Sequence, residues 1–282
     1  MSKALDRKEC PRVALALGGG GARGLAHIVV LEALDELGIR PVSITGTSIG
    51  AIIGAAYAAG SSGKELHRHA LTAFRNRTDV MAHLFGARVG RLKDLWSGGI
   101  GNPLMLDGEM VLQRFLPRQL PEKFEGLSLP FTAVATDFYG LSRADFSTGP
   151  LMPAVAASMA LPLLVRPVRI GERVLVDGGS VDPLPIRPLD EDTDILIAVD
   201  VSGGAIRIGE TKLPSPTEAM LAMSSIMQHA LTEVRLANGD PRVKVLRPAV
   251  KEFHVLDFFA AKAILAASEP LRDAVRQLVR GA

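Results

Sequence analysis

The sequence predicts an α/β fold with a mainly parallel, helix-covered sheet and an inserted helical cap. Two observations carry the prediction. The chain opens strand–helix–strand–helix, the mark of a parallel sheet. Its later strands, such as 194–201, are short continuous apolar runs, as expected where helices cover both faces. At 282 residues, with 48% hydrophobic and 22% charged content, the chain has the composition of a packed globular protein.

Arg12 to Leu17 reads as a buried strand running into Gly18-Gly19-Gly20-Gly21-Ala22-Arg23-Gly24. Ala22 to Leu37 then places Leu25, Ile28, Val29, Leu34 and Leu37 at helical spacing, and Gly38 caps the helix. Pro41 to Thr45 is a second strand, followed by a small-residue helix over Ser48 to Ala59. Residues 61–123 read as a helical cap over the sheet. Phe131 to Thr136 resumes as a strand, and Leu151 to Ala160 as a helix. Val165–Ile170 and Glu172–Val176 form a hairpin about Gly171. Asp194 to Val201 is a further strand, Gly203 to Pro216 a loop, and Thr217 to Leu236 a helix. Val243 to Leu246 is a short strand, and Ala260 to Val279 a final amphipathic helix. No linker divides the chain, so one domain is expected over 1–282. Residues 1–11 are its tail, and 217–282 a C-terminal helical segment packed on the core. Met220, Met223 and Met227 share one helix face and are expected in that core, with a flexible wall for an acyl pocket as the alternative.

Charge narrows the function classes. With 32 basic and 30 acidic residues and no basic stripe, nothing points to nucleic acid. The single Cys10 excludes an intrachain disulfide framework and fits a reducing compartment. No apolar run approaches the ~20 residues that span a bilayer, and a cytoplasmic location is the expectation.

Two glycine turns carry the chemistry. Gly19, Gly21 and Gly24 satisfy G-x-G-x-x-G after a strand and before a helix. A dinucleotide site wants an acidic residue roughly 20 positions on, and the second strand ends without one. No Gly-Lys-Ser/Thr follows for a phosphate loop. What remains is backbone N–H groups free to meet an anion, with Arg23 adding charge, against the plainer reading of a tight turn. Gly46-Thr47-Ser48-Ile49-Gly50 places a serine at a strand–turn–helix junction, as a nucleophile elbow requires. The plain alternative is an N-capping serine.

A serine nucleophile needs a base. His229 and His254 fall late enough in the chain for a Ser–acid–His order, but neither has a turn-like setting. Asp177, ending an apolar strand before Gly178-Gly179, is better placed, although Asp-Gly is also a common turn. A carboxylate in a dry pocket is a stronger proton acceptor. The six histidines and one cysteine show no metal-ligand spacing, so neither metal nor cofactor is expected.

Taken together, Gly19-Gly20-Gly21-Ala22-Arg23-Gly24, Gly46-Thr47-Ser48-Ile49-Gly50-Ala51 and Asp177-Gly178-Gly179 resemble the patatin-like phospholipase family, especially its small bacterial cytoplasmic members. The resemblance runs from about Arg12 nearly to the C-terminus. It implies a three-layer α/β/α fold and a Ser–Asp dyad without histidine. Ser48 would be the nucleophile within an elbow framed by Gly46 and Gly50, and Asp177 the base. The oxyanion hole would come from Gly19, Gly20, Gly21, Arg23 and Gly24. The implied activity is hydrolysis of lipid carboxylic esters, with a lipid or acyl-ester substrate and transient contact with a membrane surface. A low-turnover regulatory or scaffolding protein of the same fold is the alternative. The third motif continues to Asp182, where the family often has Asn; a second carboxylate there could raise the Asp177 pKa, and a turn-forming role is the plainer reading. Residues 81–96 mix apolar Leu84, Phe85, Leu92 and Trp96 with Arg88, Arg91 and Lys93. They read as a packed amphipathic cap, with a lipid-facing lid as the alternative.

Overall fold

A computed structural model describes residues 11–76, 78, 105–187, 190, 193–203, 213, 216–237 and 239–281, with some side chains early in the helix from 216 left undescribed. The 81–96 segment and most of the 203–216 loop lie outside these residues.

The strands are β1 (Val13–Leu17), β2 (Ser43–Thr47), β3 (Phe131–Asp137), β4 (Ser142–Phe146), β5 (Val168–Ile170), β6 (Arg173–Asp177), β7 (Ile195–Val199) and β8 (Val243–Leu246). The helices are α1 (Ala26–Glu36), α2 (Ile49–Ala58), α3 (Gly63–Ala73), α4 (Gly108–Phe115), α5 (Leu151–Ser158), α6 (Pro216–Leu236), α7 (Ala261–Ser268) and α8 (Pro270–Arg280). Strands β8, β7, β1, β2 and β3 run parallel in that spatial order. Strands β4 and β6 pair antiparallel with β3, and β5 with β6.

The sheet is the middle of three layers. Val13, Leu15 and Leu17 of β1 join a large core with α1, α2, α7 and α8 on one face. The alternate residues Ala14 and Ala16 pack with Leu184, Leu196 and, from α6, Leu236 on the other. The period-2 alternation of a strand divides one short run between two cores.

One topological detail places the site. Residues 133 and 134 of β3 pair with both β2 and β4, and residues 135–137 with both β4 and β6. A strand has two edges, so β2 and β6 must share one. Strand β2 leaves that edge at Thr47, opposite Val134, and β6 reaches it at Asp177, opposite the next residue, Ala135. The last residues of two strands distant in sequence therefore meet end to end.

Several expectations are corrected. The helix expected from Ala22 begins as a 3-10 turn over Gly21–Leu25 before α1. The single C-terminal helix is two, because Pro270 has no N–H to bond with Ala266 and starts α8 instead. Strand β4, with its charged edge sequence, was not anticipated. Met223 and Met227 are 62% and 57% exposed rather than core, and the Met220 side chain is undescribed. Of the expected cap, α3 lies along α1 and opens with a capping box of Ser62 and Glu65, while α4 lies against α5.

Candidate active site

Ser48 stands between β2 and α2 with φ 55° and ψ −121°. This conformation is strained for any residue with a Cβ. The glycines on either side make it sterically attainable. A Cβ on Gly50 would run into the Leu17 carbonyl, and one on Gly46 into the backbone of Gly50. Ser158, fully buried at the end of α5, holds the elbow from behind. Its Oγ accepts from the Ser48 N–H at 2.9 Å and donates to the Val134 carbonyl at 2.6 Å.

Asp177 closes β6 and is 4% exposed. The Ser48 hydroxyl donates to its Oδ2 at 2.6 Å, and the Gly179 N–H donates to its Oδ1 at 2.7 Å. Its backbone is fixed too: the N–H donates to Ala160 O, and the Thr136 hydroxyl donates to its carbonyl. Burial raises the carboxyl pKa to about 6, opposed by the hydrogen bonds from Ser48 and Gly179. Gly178 lets the turn press against β3, where a Cβ would strike the Val134 carbonyl.

The first glycine turn lies across the same opening, but its residues do different things. The Gly19 N–H donates to Pro183 O at 2.8 Å and is not free to meet an anion. Gly24 packs beneath the Ile49 side chain. The expected cradle of five residues thus narrows to Gly20, Gly21 and Arg23, which line the cavity. Among the described residues, the N–H groups of Gly20 and Gly21 donate to no protein acceptor. Arg23, 3% exposed, reaches Gly20 O through Nε at 3.3 Å and Ser225 Oγ through Nη2 at 3.5 Å. In a trans peptide the N–H points opposite the carbonyl, so this first bond also sets the direction of the Gly21 N–H. Burial lowers the Arg23 pKa, and the Asp200 charge opposes the shift. His27, wholly buried, donates from Nε2 to Gly18 O at 2.8 Å, and burial drives its pKa down to about 4. It is a neutral tie on the glycine turn.

Ser48 and Asp177 open into a cavity of about 400 Å³. Its walls are apolar: Ile52 and Ile53 from α2, Leu66 from α3, Val111 and Phe115 from α4, and Leu164. The described part of the expected cap therefore forms cavity wall. His69 also lines it, with Nε2 held by Phe115 O at 2.7 Å. Among the described residues, neither His229 nor His254 lines the cavity or hydrogen-bonds to Ser48 or Asp177.

Asp182 does not act on Asp177. Its fully buried carboxylate turns to Arg143 at 2.5 Å and Arg235 at 3.2 Å, while its backbone carbonyl accepts from the Thr47 hydroxyl at 2.8 Å. It is more than a turn former, since it ties β4 and α6 to the end of β2. The ligand atoms of Asp200, His229 and Glu233 also lie within 4.8 Å of one another, a grouping that sequence spacing did not suggest. The Arg247 guanidinium pairs with both of these carboxylates and occupies the role a cation would take.

Thr136 and Ser158 fall in two weaker matches to the resembled family, Ala135-Thr136-Asp137 and Ala154-Val155-Ala156-Ala157-Ser158, but no role was expected of them, and nothing in the sequence marks His27.

Comparison with known proteins agrees with this architecture. A sequence profile described as patatin-like phospholipase matches residues 15–190. An uncharacterized NTE family protein of Mycobacterium tuberculosis is 36% identical over 231 residues, covering 81% of this chain and 60% of the relative. A protein of Cryptococcus neoformans named lysophospholipase NTE1 is 34% identical over 202 residues, covering 70% of this chain and 12% of that one. The chain thus spans about three fifths of the mycobacterial relative and a small part of the fungal one. The crystal structure of VipD from Legionella pneumophila shares the fold, with a TM-score of 0.50 at 16% identity, over 94% of this chain and 67% of that one. With the family profile matching well over half of its length, this chain belongs to the patatin-like phospholipase family.

Proposed function

We propose that the chain is a serine acyl hydrolase that cleaves carboxylic esters of lipids, phospholipid, lysophospholipid or acylglycerol, through a Ser48–Asp177 dyad. One observation carries the reading. A serine hydroxyl on a strained elbow donates at 2.6 Å to a buried aspartate that pairs with no cation among the described residues, at the mouth of an apolar cavity.

The chemistry follows from the groups present. Ser48 Oγ attacks the ester carbonyl while its proton passes to Asp177 Oδ2. A pKa of about 6 leaves the carboxylate mostly ionised at neutral pH, yet makes it a better acceptor than an exposed aspartate. The developing oxyanion is met by the N–H groups of Gly20 and Gly21 and by the positive end of α2. Collapse expels the alcohol, which takes the proton from Asp177 and leaves an acyl-enzyme. Water then attacks, Asp177 again accepts a proton, and the carboxylic acid leaves as Ser48 recovers its own. The acyl chain lies in the apolar cavity throughout. The dyad is oriented by Ser158, Thr136 and the Gly179 N–H, the work that the aspartate does for the histidine in a triad.

Fatty-acid release from a panel of lysophospholipids, diacyl phospholipids and acylglycerols tests the reading. The purified chain is expected to release acid from at least one class, and Ser48→Ala from none. Equal release by both proteins would remove Ser48 from the mechanism.

A further inference from the structure

Helix α6 covers the dyad and also faces solvent with an apolar surface. Its inner side carries Ser224, Ser225 and Gln228 into the cavity lining, and Ser225 meets Arg23. Its outer side carries Met223, Ile226, Met227, Leu231 and Val234, which are 62%, 67%, 57%, 38% and 74% exposed. At 100° per residue these five fall within an arc of about 140°, which ends about 20° from Ser224. The exposed apolar strip therefore continues from the rim of the substrate cavity.

From Ala219 to Thr232 the only ionisable side chain is His229, and Glu233 and Arg235, which flank Val234, are paired with Arg247 and Asp182. A solvated helix face would carry charge, so this strip is built to be covered. From Met223 to Val234 it is roughly 17 Å long, and about 10 Å wide, or near 200 Å². A stable protein interface needs about 800 Å² from each partner. A strip of this size, without basic residues and bordering an acyl cavity, suits shallow insertion into lipid better than pairing with protein.

We propose that the outer face of α6 seats the enzyme on the surface of lipid aggregates, through apolar contact, with the cavity rim against the lipid. The inference rests on the acyl-cavity reading above. Because the five strip residues are uncharged and the neighbouring Arg235 is paired with Asp182, attachment needs no anionic lipid and survives high salt, unlike a Lys-rich interfacial helix. An acyl chain then moves from the aggregate into the cavity along apolar surface.

The test uses the full chain carrying Ser48→Ala, so that binding is read without turnover. Co-sedimentation with phosphatidylcholine vesicles is measured at low and high salt. Binding is expected at both, with Met223→Glu plus Ile226→Glu lowering affinity roughly tenfold or more. Met223→Leu plus Ile226→Leu is expected to bind like the parent. An unchanged melting temperature shows that the glutamate pair folds; should it not, the corresponding glutamine pair takes its place. Equal binding by parent and polar pair would overturn the proposal. So would binding that requires anionic lipid and disappears in salt. A dimer seen by light scattering, split by the polar pair and indifferent to vesicles, would assign the strip to a second copy instead. Failure here leaves Ser48 labelling by a fluorophosphonate untouched, whereas failure of that labelling would undo the hydrolase reading and leave vesicle binding standing.

Discussion

Asp177 and Asp182 lie five residues apart around one turn, both almost completely buried, and burial pushes both pKa values up to about 6. Their surroundings separate them. Asp177 receives a serine hydroxyl and a backbone N–H, has no paired cation among the described residues, and faces the cavity. Asp182 pairs with Arg143 and Arg235 and does not line the cavity. Under the proposed mechanism, burial alone therefore does not make a base. A buried carboxylate becomes one when its free oxygen faces the reacting group and nothing else neutralises it.

The largest expected effect is on turnover. Asp177→Asn should lower kcat on a soluble ester by about 10³-fold, within the range for loss of a general base. Asp182→Asn should lower it far less. Comparable losses at both positions, measured on folded protein, would erase the distinction.

Stability should separate the two aspartates by degree. The folded-state pKa of Asp177 lies near 6, above its ordinary 3.8, so the folded protein holds a proton through that window that the unfolded chain has released. Its contribution to stability is greatest at low pH and is lost as pH rises from about 4 to 6. Asp177→Asn should therefore stabilise the protein at pH 8 by about 1–3 kcal/mol, with little gain near pH 4. Asp182 has the same raised pKa, but asparagine there leaves Arg143 and Arg235 without their shared carboxylate, so its gain at pH 8 should be smaller than that of Asp177→Asn. Denaturant melts at the two pH values check the sign and the difference.

The pH profile is the next test. kcat/KM should rise through about pH 6 and level off above it, following ionisation of Asp177. His229→Ala, His254→Ala and Asp182→Asn should leave that half-point in place. Movement with either histidine would return it to the mechanism.

The smallest effect isolates the elbow. Ser48→Ala and Ser48→Gly both remove the hydroxyl, and glycine alone tolerates φ 55° without strain. The glycine variant should be more stable than the alanine variant by about 1 kcal/mol. Equal stability would mean that the elbow stores no strain.

These contrasts also show how much was legible in the sequence. The parallel core and the three motif turns were readable because each follows a local rule: short buried strands, glycines at close approaches, an aspartate at a strand end. The meeting of Ser48 with Asp177 was not local. It depends on β2 and β6 sharing one edge of β3, which no spacing reveals; the sequence offered Asp177 as a well-placed base, and the family resemblance paired it with Ser48. The fates of Gly19 and Asp182 were hidden for the same reason, since their partners Pro183, Arg143 and Arg235 come from other elements. Met223 and Met227 misled because helical spacing reports an apolar face without saying what that face meets.

The dyad itself is tested most directly by fluorophosphonate labelling with the adduct located by mass spectrometry. Expected is a single adduct on the Ser48 peptide, slowed at least about 100-fold by Asp177→Asn and unchanged by His229→Ala or His254→Ala. No adduct on the folded wild-type chain, an adduct at another residue, or an equal rate in Asp177→Asn would contradict direct activation of Ser48 by Asp177.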